Sequence, residues 1–282
     1  MPTPIKYFNI TYLWVINMDW FINLSPVLQA LLGTLFTFSV TLIGAAVVFF
    51  FKKINKTLLD AMLGFAAGVM IAASFFSLLD PAMIMAKNLN MNVWLTCFIG
   101  FFLGGLLLFI SDKIFDKLLS KKVSSKNDSV KRCLMLILSI TIHNIPEGMA
   151  VGVAFGSAYY GIDGATVLAA IVLAIGIGLQ NFPEGSAVSL PLRREGLSCG
   201  KSFFWGQLSG FAEPISGVLG AILVLKIRIL LPYLLAFAAG AMIYVVIEEL
   251  VPESQTNKKK DLMALFTLLG FCIMMILDIA LG

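Results

Sequence analysis

The sequence predicts an all-α integral membrane protein of eight spanning helices, and three observations carry that reading. Apolar residues fill 59% of the 282 positions and charged residues 13%, with a mean hydropathy of +0.95. That composition leaves too little polar surface to cover a soluble globule. The charges bunch between apolar runs, and the runs are about long enough to cross a ~30 Å hydrocarbon core, which takes roughly 20 helical residues.

Residues 1–26 mix Tyr7, Tyr12, Trp14 and Trp20 with Asn9, Asn17, Asp19 and Asn23, which reads as an extracytoplasmic interfacial segment rather than a ninth span. It lacks the basic n-region and small-residue cleavage site of a signal peptide. Residues 27–282 form a single membrane domain. The runs 27–51, 61–79, 88–111 and 229–247 are uncharged. The run 133–162 is interrupted only by His143 and Glu147, 164–192 only by Glu184, and 202–225 only by Glu213; the last, 262–277, ends at Asp278.

If the first span enters from outside, every Lys and Arg except Lys6, Lys87, Lys226 and Arg228 falls on cytoplasmic connections. The positive-inside rule then places both termini outside. The net charge of +4 is thus topological and implies no nucleic-acid partner. The connection from about 112 to 132, rich in Lys and Ser, reads as a solvated cytoplasmic loop.

Two phrases inside these spans nearly repeat each other: His143-Asn144-Ile145-Pro146-Glu147-Gly148 and Gln180-Asn181-Phe182-Pro183-Glu184-Gly185. Positions i and i+4 share a helix face, so His143 and Glu147 can close on one ion with Asn144 beside them, and Gln180, Asn181 and Glu184 repeat the arrangement. A charged side chain in mid-membrane costs roughly 2.5–3.5 kcal/mol even on insertion scales. Pro146 and Pro183 free the carbonyls of Ile142 and Leu179, and Gly148 and Gly185 allow neighbouring helices to approach closely. Glu213, followed by Pro214, is a natural third carboxylate. One imidazole with carboxylate and amide oxygens, and no thiolate, suits borderline first-row divalent ions better than Cu(I). The cysteines Cys97, Cys133, Cys199 and Cys272 stand singly, without a CxxC pair, and read as small hydrophobes. The blander alternatives are a hydrogen-bonded core histidine at His143 and interhelical amide contacts at Gln180 and Asn181.

On these residues the chain resembles the Zrt- and Irt-like (ZIP) metal transporters, of the GufA-like branch. The likeness extends through Asp60–Gly68 (DAMLGFAAG), Ala73-Ser74-Phe75-Phe76-Ser77, Ser209–Pro214 (SGFAEP) and Ala239-Gly240-Ala241-Met242. It implies eight helices in a 3+2+3 arrangement whose outer triplets are inverted repeats. It further implies a two-metal site between the fourth and fifth helices, and alternating-access movement of Zn²⁺, or of Fe²⁺, Mn²⁺ or Cd²⁺, into the cytosol across the cell membrane. His143, Glu147, Gln180, Glu184 and Ser77 match one metal position; Asn144, Glu147, Asn181, Glu184 and Glu213 match the second.

Where relatives carry His-Glu, this chain has Glu248-Glu249 ahead of Pro252-Glu253. With Asp60 these read as an acidic exit vestibule; the alternatives are solvated helix ends at Glu248 and Glu249, a helix N-terminal charge at Asp60, and back-bonding to its own helix at Ser77. The partners expected are divalent metal ions, the bilayer and a second copy of the chain in a homodimer. The ions are cargo, and no prosthetic group is implied. A selective channel built on the same carboxylates is the alternative function; an intramembrane metalloenzyme is disfavoured, because no HExxH supplies a general base.

Overall fold

The computed structural model describes residues 19–50, 55–122, 128–161 and 165–281. Among these the regular structure is helical. After one turn at Asp19–Ile22 come α1 (Pro26–Phe50), α2 (Lys56–Asn88), α3 (Val93–Lys122), α4 (Asp128–Ala158), α5 (Val167–Arg194), α6 (Cys199–Lys226), α7 (Leu231–Ser254) and α8 (Lys260–Leu281). Among the described residues seven helices, α1–α3 and α5–α8, are long and apolar enough to cross a membrane. The helix α4 spans 31 residues and carries His143, Asn144 and Glu147.

Most helices outrun the apolar stretches that announce them, because a helix ends at a cap rather than at the edge of an apolar run. Asn55 accepts from Thr57 N at the start of α2, Thr166 from Ala169 N at the start of α5 and Ser198 from Lys201 N at the start of α6. The expected loop at 112–132 is largely helical: α3 continues to Lys122 and α4 begins at Asp128, so only 123–127 lie outside the described residues. Lys, frequent there, is a good helix former. Of the expected interfacial segment, residues 1–18 lie outside the described residues; Trp20 is exposed, and Gln29 Nε2 holds the first turn through the carbonyls of Phe21 and Ile22.

Three helices are irregular where it matters. Pro214 cannot donate to Gly210, and α6 breaks at Phe211, just before Glu213. Both α2 and α7 contain a stretch of wider π-helix, Ser74–Leu79 and Val246–Leu250, each just before a proline, Pro81 or Pro252. Such bulges concentrate at functional sites, and Ser77, Glu248 and Glu249 all lie in them.

The helices sort into two packed groups. The site-bearing group holds α1, α4, α5 and α6: α1 lies along α5, and the second half of α6 lies along α4. Outside it α2 pairs with α8 and α3 with α7, while α2 touches α5 and α7 touches α4. Small residues set the spacing, as membrane helices require in the absence of a hydrophobic drive between them. A Cβ on Gly148 would overlap the Glu213 carbonyl, and one on Gly185 the Thr41 carbonyl. In the outer pairs Gly68 abuts the Thr267 carbonyl and Gly270 that of Phe65, while Gly240 abuts Phe101 and Gly104 abuts Phe237 in the same way. The sequence repeats along with the packing: Phe65–Ile71 reads FAAGVMI and Phe237–Ile243 reads FAAGAMI.

Candidate metal site

The facing stretches of α4 and α5 bury all six side chains of the repeated phrases. His143, Asn144 and Glu147 come from α4, and Gln180, Asn181 and Glu184 from α5. Gln180 Nε2 donates to Glu147 Oε1 at 2.8 Å, joining the two helices. The cluster is defined by what it leaves unpaired. His143 Nε2, both amide atoms of Asn144, Glu147 Oε2, Gln180 Oε1 and Asn181 Oδ1 are buried without a hydrogen-bond partner. All but the Asn144 nitrogen can offer a lone pair, and each such group costs about 1–3 kcal/mol when left unsatisfied. Elsewhere among the described residues the buried unpartnered side-chain atoms are three hydroxyls, of Ser74, Ser189 and Ser202.

The histidine is oriented from outside the phrase. His143 Nδ1 donates to Glu249 Oε2 of α7 at 2.7 Å. With the proton on Nδ1, the ring's lone pair sits on the buried Nε2, the carboxylate–histidine arrangement that typically backs a metal ligand.

Glu213 is equally buried but differently employed. Asn181 Nδ2 lies 2.9 Å from each of its oxygens, Thr37 donates to Oε2, and Thr41 lies 3.4 Å from Oε1. Asn181 therefore turns its amide nitrogen toward Glu213 and leaves its oxygen free. Among the described residues no three His, Cys, Asp or Glu side chains converge to hold an ion by themselves, so a cation held here draws on the amide oxygens as well.

A cavity of about 430 Å³ opens from His143 and Glu184 and is walled by Glu248, Glu249, Glu253 and Thr256 toward the end of α7. Asp112 and Tyr244 lie beside Glu248 and Glu249. Two residues stand elsewhere than expected, Asp60 away from the exit path and Ser77 away from the first metal position. Asp60 does not line the cavity; Lys56 Nζ meets its carboxylate at 3.1 Å and Asn257 Nδ2 at 2.8 Å. Ser77 donates to Asp278 at 2.7 Å and lines a separate small cavity with Pro81 and Ser157. Thr37 and Thr41 escaped the sequence reading. Their signal is the stripe Thr34, Thr37, Thr41 on the buried side of an otherwise apolar α1.

With this arrangement in view, the relationships of the chain are informative. The ZIP Zinc transporter family pattern matches residues 120–278. The chain is 40% identical to zinc transporter ZIP11 of Xenopus tropicalis, over 92% of this chain and 98% of the relative. It is 34% identical to zinc transporter ZIPB of Bordetella bronchiseptica over 90% of this chain and 81% of the relative, and 31% identical to zinc transporter GufA of Myxococcus xanthus over 89% and 98%. These relatives are named as transporters and not as enzymes. A multi-pass helical membrane protein with this repeated phrase and these relatives belongs to the ZIP zinc transporter family.

Proposed function

We propose that the protein carries divalent metal cations, zinc foremost, across a cell membrane into the cytosol through a site between α4 and α5. The observation that carries this reading is the set of buried, unpartnered acceptors contributed by His143, Asn144, Glu147, Gln180 and Asn181, with Glu184 beside them at the head of the cavity. One position uses His143, Glu147, Gln180 and Glu184; the second adds Asn144 and Asn181, with Glu213 within reach of Asn181. Glu147 and Glu184 are shared between the two. The acidic cavity wall at Glu248, Glu249 and Glu253 is the exit, since carboxylates alone hold first-row ions less tightly than sites with imidazole.

In this reading α4 is the eighth span and both termini are extracytoplasmic, as the Lys and Arg distribution favours. The 3+2+3 arrangement is supported by the reciprocal glycine packing of α2 on α8 and α7 on α3, and by the matching FAAGVMI and FAAGAMI segments. Alternating access is then movement of the α1, α4, α5, α6 group against the outer pairs, around a fixed site. Zinc uptake into proteoliposomes holding the purified protein tests the proposal: flux should saturate with zinc concentration and disappear in Glu147→Ala. Flux that rises without saturation would indicate a channel, and wild-type uptake by a correctly inserted Glu147→Ala protein would overturn the site.

A further inference from the structure

From the hydrogen bonds around Glu213 we infer that Thr37 and Thr41 are positioning residues of a lock: with Asn181 they hold the Glu213 carboxylate closed against the second ion until that ion displaces them. The inference rests on the proposed metal site. An ionised carboxylate offers about four lone-pair directions. Each Glu213 oxygen already faces two donors, one from α1 and one from α5: Thr37 and Asn181 at Oε2, Thr41 and Asn181 at Oε1. Glu147 contrasts with it, since one of its oxygens has no partner. In this arrangement the first position is ready for an ion and the second is not.

The donors have other acceptors at hand, which makes the lock reversible. Each threonine hydroxyl carries a single proton. The Thr34 carbonyl lies 3.0 Å from Thr37 Oγ1, and the Thr37 carbonyl 3.3 Å from Thr41 Oγ1. Asn181 Nδ2 also reaches the Thr37 carbonyl, at 3.2 Å. When a cation takes the carboxylate, both hydroxyls turn back to their own helix, and Asn181 keeps its bond to α1. Opening therefore leaves both hydroxyls and one of the two Asn181 N–H groups with an acceptor. Because the lock ties α6 to α1 and α5 through Glu213, opening it loosens α6 from the other two at the depth of the site, which couples arrival of the second ion to rearrangement of the site-bearing group.

The experiment is zinc titration of the purified full-length protein in detergent, by calorimetry with metal content counted in parallel. The wild type is compared with Thr37→Val/Thr41→Val, which keeps shape and removes both hydroxyls, and with Thr37→Ser/Thr41→Ser, which keeps both. The expected result is one tight and one much weaker zinc in the wild type and in the Ser/Ser variant. In the Val/Val variant the second zinc tightens at least about tenfold while the first stays within about twofold. A merely structural role would lower the melting temperature without moving the second affinity alone. If Val/Val does not fold, Thr41→Val, which removes the longer contact, replaces it, with a smaller shift in the same direction. Equal second-ion affinity in wild type and a folded Val variant overturns the lock, as does a wild type that binds two zinc ions equally tightly. Absence of any tight zinc overturns the underlying site as well, and is distinguishable because the first ion is then missing too.

Discussion

Two buried acidic clusters invite comparison, one around Glu147 and one around Asp60. Both carboxylates are at most 1% exposed. Asp60 is satisfied: its side chain meets Lys56 and Asn257, while Lys56 also donates to Thr256 at 2.7 Å and Ser254 donates to the Asp60 carbonyl at 2.8 Å. The Glu147 cluster retains five acceptor atoms with nothing to bind. Burial of a charge therefore does not distinguish the two clusters; lack of partners does. The Asp60 network fastens the start of α2 to the turn between α7 and α8, whereas the Glu147 cluster keeps buried acceptors unpaired, which is what the proposed cation site requires.

The largest expected effect breaks the comparison at its working end. Glu147→Gln removes a charge shared by both proposed ion positions, so uptake in proteoliposomes should fall to background while the protein still inserts and melts normally. Uptake near the wild-type rate would erase the distinction between the two clusters.

Next comes the oriented histidine. Removing the partner that orients a metal-bound histidine typically costs about 10–100-fold in affinity, and Glu249→Ala should do so for zinc binding measured at equilibrium. An unchanged dissociation constant would return Glu249 to the cavity wall alone.

At the structural end, Asp60→Ala should lower stability by about 1–3 kcal/mol, the cost of leaving the Asn257 amide without its acceptor. The ion pair adds little, because Lys56 is half exposed. Thermal unfolding in detergent reads this loss, while zinc affinity should not change; a coincident loss of affinity would join Asp60 to the site.

The smallest effect separates two neighbours. Glu248 has no bond to His143, so Glu248→Gln should slow zinc release a few-fold and leave equilibrium binding intact. Uptake rate and binding measured on the same preparation check it, and a change in affinity comparable to that of Glu249→Ala would merge the two roles.

The membrane class, the approximate spans and the six side chains of the repeated phrases were legible in the chain itself. Composition decides the solvent, and the i, i+4 spacing decides which side chains share a helix face, whatever the tertiary packing. Helix ends were less legible, because caps such as Asn55 and Ser198 lie outside the apolar runs. Pairing was not legible at all. Glu249 sits 106 positions after His143, and Thr37 sits 176 before Glu213; only packing of α7 on α4 and of α1 on α6 makes them neighbours. Asp60, Glu147 and Glu213 are all carboxylates in or beside apolar helices, and nothing local separates them. The tertiary structure alone decided that Asp60 is a clasp, that Glu147 has a free oxygen and that Glu213 is hydrogen-bonded from α1 and α5, because a hydrogen bond depends on distance in space and not along the chain.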